Sequence, residues 1–164
     1  MRAIQDLYPD DFAHCYGCGR LNPDGLHIRT EWLGDEGVAR LRPGPRHLAM
    51  PGFVYGGFLA SLIDCHAIGT ASAAAMLAAG LRPGEDVSPR FVTASLAVDF
   101  LRPTPAGVEL LARARATEVG ERKVVVEVTV SAGEAECARG RVVAVRIPRS
   151  METAGGGGGG HQPG

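Results

Sequence analysis

The chain has 164 residues, a formal net charge of −1 and a pI near 6.5. That length suits a single domain with a proper core, and so balanced a charge leaves no basic footprint for nucleic acid. The acidic opening MRAIQDLYPDDF carries no secretory apolar region, so the chain is expected to be cytoplasmic, with Cys15, Cys18, Cys65 and Cys137 as reduced thiols.

In chain order, residues 1–13 read as a leading arm. The stretches His14-Cys15-Tyr16-Gly17-Cys18-Gly19 and Asn22-Pro23-Asp24-Gly25 follow, dense in turn formers. Residues 26–33 (LHIRTEWL) predict a first strand, 34–37 a turn, and 38–41 its hairpin partner. Residues 42–52, rich in Pro and Gly, form a loop into the longest apolar segment.

That segment, Pro51 to Gly80, predicts a helix opening on Tyr55-Gly56-Gly57 and ending before Gly80 and Pro83. It is apolar on every side, and Asp64 is the only formal charge between Tyr55 and Leu81, so it should be buried. Being Ala-rich and carrying Asp64 and His66, it is not read as a membrane span. A buried carboxylate is costly unless it is paired, hydrogen-bonded or working.

After a charged connection (81–90), four strands are predicted in succession: 91–101, 108–119, 123–131 and 136–147. In the first of them, strict alternation places Val92, Ala94, Leu96, Val98 and Phe100 on one face and Thr93, Ser95, Ala97 and Asp99 on the other. Short turns imply an antiparallel sheet. The order ββ-α-ββββ makes an α+β protein, one domain over residues 1–148, with a disordered Gly-rich tail over 149–164. One sheet cannot cover a helix that is apolar all round, and a two-fold copy of the same helix is the economical second neighbour. A homodimer with its central helices close together is therefore expected.

This element order and three motifs resemble the hotdog-fold thioesterases, in the phenylacetate-degradation (PaaI-like) branch of the 4-hydroxybenzoyl-CoA thioesterase superfamily. The motifs are Cys15-Tyr16-Gly17-Cys18-Gly19 with Asn22-Pro23-Asp24-Gly25-Leu26, similar to a CxxCG…NPxGL opening; Tyr55-Gly56-Gly57 with Leu62-Ile63-Asp64, similar to an HGG…D helix start; and Asp99 to Pro105, similar to a strand with a Pro-containing exit. The resemblance covers residues 14–148. It implies an antiparallel sheet wrapped around one long helix, an acyl-CoA substrate, and a homodimer that in many members pairs into a homotetramer. It implies no cofactor, no nucleic acid and no membrane.

Gly56 and Gly57 stand at a helix N-terminus, where N–H groups lack intrahelical partners and the dipole is positive. Such donors could form an oxyanion hole for a thioester carbonyl; the glycines could equally serve tight packing. Asp64 lies eight positions on, about 12 Å along one helix, beyond reach of a carbonyl held by its own Gly56. An antiparallel partner helix could bring the two together, giving a composite site. In the resembling enzymes an acid at this position is a general base or a nucleophile. Thr93 occupies the place where they carry a Ser or Thr near the water, and Ser95, on the same predicted face, is its alternate.

Two departures stand out. The family's His before the glycines is Tyr55, which could line the substrate cleft but cannot replace an imidazole in acid–base work. The Asn or Gln helper seven positions before the first Gly is Ala49, so His47, Met50 or His66 would have to substitute. His66, about 200° around the helix from Asp64, reads as a core histidine. The CxxC could start a zinc site, but no second CxxC or HxxxH supplies the remaining ligands. No metal is expected there, and Cys65 and Cys137 read as small apolar residues. Arg90, Arg102 and Arg113 are candidates for coenzyme A phosphates.

The expected function is hydrolysis of an acyl-CoA thioester to free acid and CoA. The alternative is a non-catalytic acyl-CoA-binding sensor, favoured by the loss of the His and the amide helper. A hydratase ranks last, because Asp64-Cys65-His66 has the wrong spacing.

Overall fold

The computed structural model describes residues 2–152. After two short 3-10 turns (Ile4–Leu7 and Asp10–Phe12) come β1 (Glu31–Leu33), β2 (Glu36–Leu41), β3 (Leu48–Met50), β4 (Phe53–Val54), α1 (Gly56–Ala78), β5 (Phe91–Phe100), β6 (Leu110–Val119), β7 (Lys123–Ala132), β8 (Ala135–Arg146) and a helical turn α2 (Arg149–Glu152). Six strands form one antiparallel sheet in the order β1-β2-β6-β7-β8-β5 around α1, the hotdog architecture. β3 and β4 make a small separate hairpin, the first strand inside the predicted loop 42–52 and the second just after it. The first strand is shorter than expected, because residues 26–30 run beside the CxxC loop: the N–H groups of Leu26 and Ile28 donate to the carbonyls of Tyr16 and Gly17 (2.8 and 2.9 Å). At the C-terminal end, α2 occupies the first positions of the predicted tail, and residues 153–164 lie outside the described residues.

The helix meets the sheet through the β7 valines Val124, Val126, Val128 and Val130, all buried, and through Leu62, Ile63 and Ala67 on its own side. Gly140 on β8 makes this close approach possible, since a Cβ there would lie 2.2 Å from Ile63 Cγ2. Each such row removes apolar surface from water at about 25 cal/mol per Å².

Part of the second neighbour that α1 needs comes from its own chain. Over residues 65–76 the helix is buried within a single chain, because the N-terminal arm covers the side that the sheet leaves open. Ile4 and Tyr8 join the core there, and the Tyr8 hydroxyl lies 3.4 Å from Ser72 Oγ. Apart from the exposed C-terminal residues Leu77 and Ala78, the helix is open along a stripe in its first turns, Gly57, Ala60, Ser61 and Asp64, spaced for one helix face. With 23 residues the helix is also long and apolar enough to cross a bilayer, contrary to the sequence reading, but it is mostly buried in the fold.

A polar network ties arm, β1 approach and helix together. Gln5 Nε2 donates to Thr30 Oγ1 (2.9 Å), Thr30 N–H donates to Gln5 Oε1 (2.8 Å), and Thr30 Oγ1 lies 2.9 Å from His66 Nδ1. Thr30 Oγ1 accepts from Gln5, and its own proton has two acceptors in reach, His66 Nδ1 and the His66 carbonyl (3.5 Å). Burial pulls the His66 pKa down to about 4. His66 is thus a hydrogen-bonded core residue, as its helical angle implied, and no substitute for the missing amide helper.

Candidate active site

Strand β5 departs from simple alternation at the position that matters most. Its register with β8 runs Val92↔Val145, Thr93↔Ala144, then Ser95↔Val143 and Leu96↔Val142, so Ala94 is the extra residue of a β-bulge. Directly opposed residues share a face, and Ala144, Val142 and Ala138 are buried against the helix side. The bulge therefore turns Thr93 to the same face as Leu96, Val98 and Phe100, and Ser95 to the other. The predicted common face of Thr93 and Ser95 is corrected accordingly, and Ser95 is no alternate for Thr93.

Facing the helix, Thr93 donates its hydroxyl proton to Asp64 Oδ1. Asp64 sits on the half-open stripe of α1, and burial raises its pKa above the usual carboxylate value, while the Thr93 bond and the Arg90 charge act in the opposite direction. One carboxylate oxygen is held and the other is left for a reacting partner. Strand and helix thus meet at one acid and one hydroxyl.

Tyr55 is the N-cap residue of α1 and supplies no side-chain cap bond; Phe58 N–H donates to the Tyr55 carbonyl (3.1 Å), which leaves the N–H groups of Gly56 and Gly57 for a ligand. The Cβ directions of the two glycines, however, are filled by rings. A Cβ at Gly57 would lie 2.4 Å from Tyr55 Cε2, and one at Gly56 would lie 3.1 Å from Phe100 Cζ. The close approach these glycines permit inside one chain is to Tyr55 and Phe100.

Two clefts flank this helix start. The first, of about 460 Å³, is lined by Tyr16, Leu41, Arg42, Arg46, His47, Tyr55 and Phe58, among others. It joins the predicted binding residues His47 and Tyr55. The His47 ring stacks on Phe58 at 4.4 Å, and its Nδ1 accepts the Gly44 N–H (2.9 Å). Met50, exposed on β3, does not line this cleft. The second, of about 380 Å³, holds Gly56, Leu59, Phe100, Arg102 and Thr104. Of the three arginines singled out, Arg102 alone is beside the glycines. Arg113 is paired with Glu36, and the Arg90 guanidinium lies 4.9 Å over the Tyr8 ring. Neither cleft contains Asp64.

Sequence reasoning missed Arg42 and Arg46, whose place at the Tyr55 cleft is set by the β3–β4 hairpin. It also missed the third member of the cysteine group. The thiols of Cys15, Cys18 and Cys65 lie within 4.8 Å of one another; no local pattern around Cys65 signals this.

Residues 51–138 match the family model of the Thioesterase superfamily, more than half of the 164-residue chain. No curated protein compared with the chain matches it. Among solved structures, a thioesterase superfamily protein from Shewanella loihica is 47% identical, with 85% of this chain and 98% of that one covered at a TM-score of 0.65. The Escherichia coli PaaI protein from the phenylacetic acid degradation operon shares the fold at 22% identity (75% and 81% covered, TM-score 0.61). So does a Streptococcus mutans protein bound to acetyl-CoA, at 17% identity (78% and 96% covered, TM-score 0.60). The motifs, the sheet wrapped on one helix and the extent of both matches lead to one assignment: the chain belongs to the thioesterase superfamily.

Proposed function

We propose that the protein hydrolyses an acyl-CoA thioester to a carboxylic acid and free CoA in a composite site of a homodimer. The observation that carries this is the Asp64–Thr93 pair: the one charge of the core helix lies on its uncovered stripe, bonded to a hydroxyl that a bulge aims at it. Asp64 acts as general base. It takes a proton from water as the oxygen attacks the thioester carbon, the C–S bond breaks, and the departing CoA thiolate is reprotonated. A base whose pKa lies above the ordinary carboxylate value suits work near neutral pH. The N–H groups at Gly56 and Gly57 of the partner chain stabilise the oxyanion, because about 12 Å of helix separates Asp64 from its own glycines.

Three features support the dimer. The stripe of Gly57, Ala60, Ser61 and Asp64 carries small residues, apart from the acid, on which a second helix can pack at about 8–10 Å. β5 is an edge strand, and an unpaired edge of ten residues is a template for pairing with another copy. Leu96 and Phe100 are also partly exposed on its helix-facing side, at 39% and 56%. The acetyl-CoA complex of the S. mutans relative fits a CoA thioester as substrate class, and we assign its phosphates to Arg102 beside Gly56 and to Arg42 and Arg46 beside Tyr55.

A second reading, an acyl-CoA-binding sensor, is favoured by Tyr55 and Ala49 in place of the family's His and amide. Thiol release from a panel of acyl-CoAs, with wild type beside Asp64→Ala and Asp64→Asn, separates the two. Release by the wild type that both variants lose supports the hydrolase. Tight binding with no release by the wild type supports the sensor. A strictly monomeric protein in light scattering, or release that survives both substitutions, overturns the composite mechanism.

A further inference from the structure

The CxxC loop and α1 together build something that neither carries alone. The Cys15 and Cys65 sulfurs are 3.8 Å apart, and with the Cys18 sulfur all three lie within 4.8 Å. Cys18 and Cys65 are almost fully buried, while Cys15 is partly open and lines a cleft of about 280 Å³ with His14, Arg90 and Val92. The loop is shaped to admit the third sulfur: a Cβ at Gly17 would lie 2.2 Å from Cys65 Sγ. Below the loop, Gly19 N–H donates to the Cys15 carbonyl (2.7 Å), and Asn22 Nδ2 reaches the His14 carbonyl (3.2 Å), holding the turn closed.

We infer that Cys15, Cys18 and Cys65 form a three-thiolate site for a soft divalent cation, zinc being the first candidate. A zinc–sulfur distance of about 2.3 Å places sulfurs about 3.8 Å apart around a tetrahedral ion, the separation Cys15 and Cys65 already have. The remaining sulfur needs to move inward by about 1 Å at most. Water completes the shell at the fourth position, since Cys15 is only partly buried. Three thiolates around a doubly charged ion leave one negative charge. The Arg90 guanidinium, partly buried nearby, has a buried Nη1 with no hydrogen-bond partner among the described residues and can balance that charge. As metal–sulfur bonds form, the thiol protons pass to solvent. The ion pins the N-terminal loop to α1 one residue from Asp64.

The test uses the full chain, reduced and stripped by chelator, titrated without oxygen with Co2+ alone and then with Zn2+ alone. The expected result is one Co2+ per chain with an intense thiolate-to-cobalt charge-transfer band, bleached by Zn2+, and a thermal midpoint raised by Zn2+. Cys137→Ser, whose thiol donates instead to the Ala135 carbonyl (3.4 Å), keeps both effects. Cys15→Ser, at a partly exposed position, loses both, as does Cys65→Ser. No band with the wild type, or a band and Zn2+-dependent midpoint that survive Cys15→Ser, overturns the site. So does reduced protein that ignores Co2+ while protein isolated without reductant has Cys15 and Cys65 joined as a disulfide, which assigns the cluster to redox chemistry. All these readouts are independent of thioester hydrolysis.

Discussion

Replacing Gly140 by Ala tests the closest contact between sheet and helix. Gly140 has no positive φ, so alanine meets no backbone penalty there and the whole effect is packing. The new Cβ would sit 2.2 Å from Ile63 Cγ2, against 3.4 Å for the near limit of ordinary contact, a deficit of more than 1 Å. Neither partner can yield easily. Ile63 is fully buried and, being β-branched, is held to one helical rotamer. Gly140 is paired on both sides, to Val98 and Val128. The expected cost is about 2–3 kcal/mol, the upper part of the range for overpacking. Ile63→Ala alone opens a cavity and costs about 2–5 kcal/mol. In the double variant the added methyl enters the space that Ile63 vacates, so the combined loss should fall short of the sum by about 1–2 kcal/mol. Urea unfolding of the four proteins reads this from midpoints at constant m-value. A Gly140→Ala protein within about 0.5 kcal/mol of wild type, or strict additivity in the double variant, would refute this account of how helix and sheet are spaced.

Thr93→Val should lower thiol release by about 10–100-fold, the equivalent of one hydrogen bond to a charged group at about 1.5–3 kcal/mol. Ser95→Ala, on the opposite face of β5, should leave it unchanged, and equal losses would refute the bulge argument. Thr30→Val, which removes the hydroxyl shared by Gln5 Nε2 and His66 Nδ1 but keeps the backbone N–H bonded to Gln5 Oε1, should cost about 1–3 kcal/mol in denaturant unfolding. His66 stays neutral in the fold down to about pH 4, whereas an unfolded imidazole protonates near pH 6.5. The unfolded state therefore binds the proton first as pH falls. The stabilisation is complete above pH 6.5 and is lost between about 6.5 and 4, to a total of about 3 kcal/mol. A His66→Gln variant should show a correspondingly shallower fall in unfolding midpoint over that window; parallel profiles would rule the linkage out.

What this sequence determined by itself is whatever local periodicity encodes. The valine row of β7, the turns at Gly120 and Gly133, and a helix with one acid behind two glycines are all written within short windows, because side-chain pattern and turn chemistry act over a few residues. The family motifs belong to the same class of information. The tertiary structure alone decided three things that depend on distant residues sharing one space. One extra residue in β5 turned Thr93 toward Asp64 and Ser95 away, since a bulge is set by pairing with β8 and not by the alternation of β5 itself. The N-terminal arm closed over the back of α1, so most of the apolar helix is buried without a second copy. Cys65, which reads as a small apolar residue among alanines, came to lie between Cys15 and Cys18 because only the packed chain brings residues so far apart in sequence into contact.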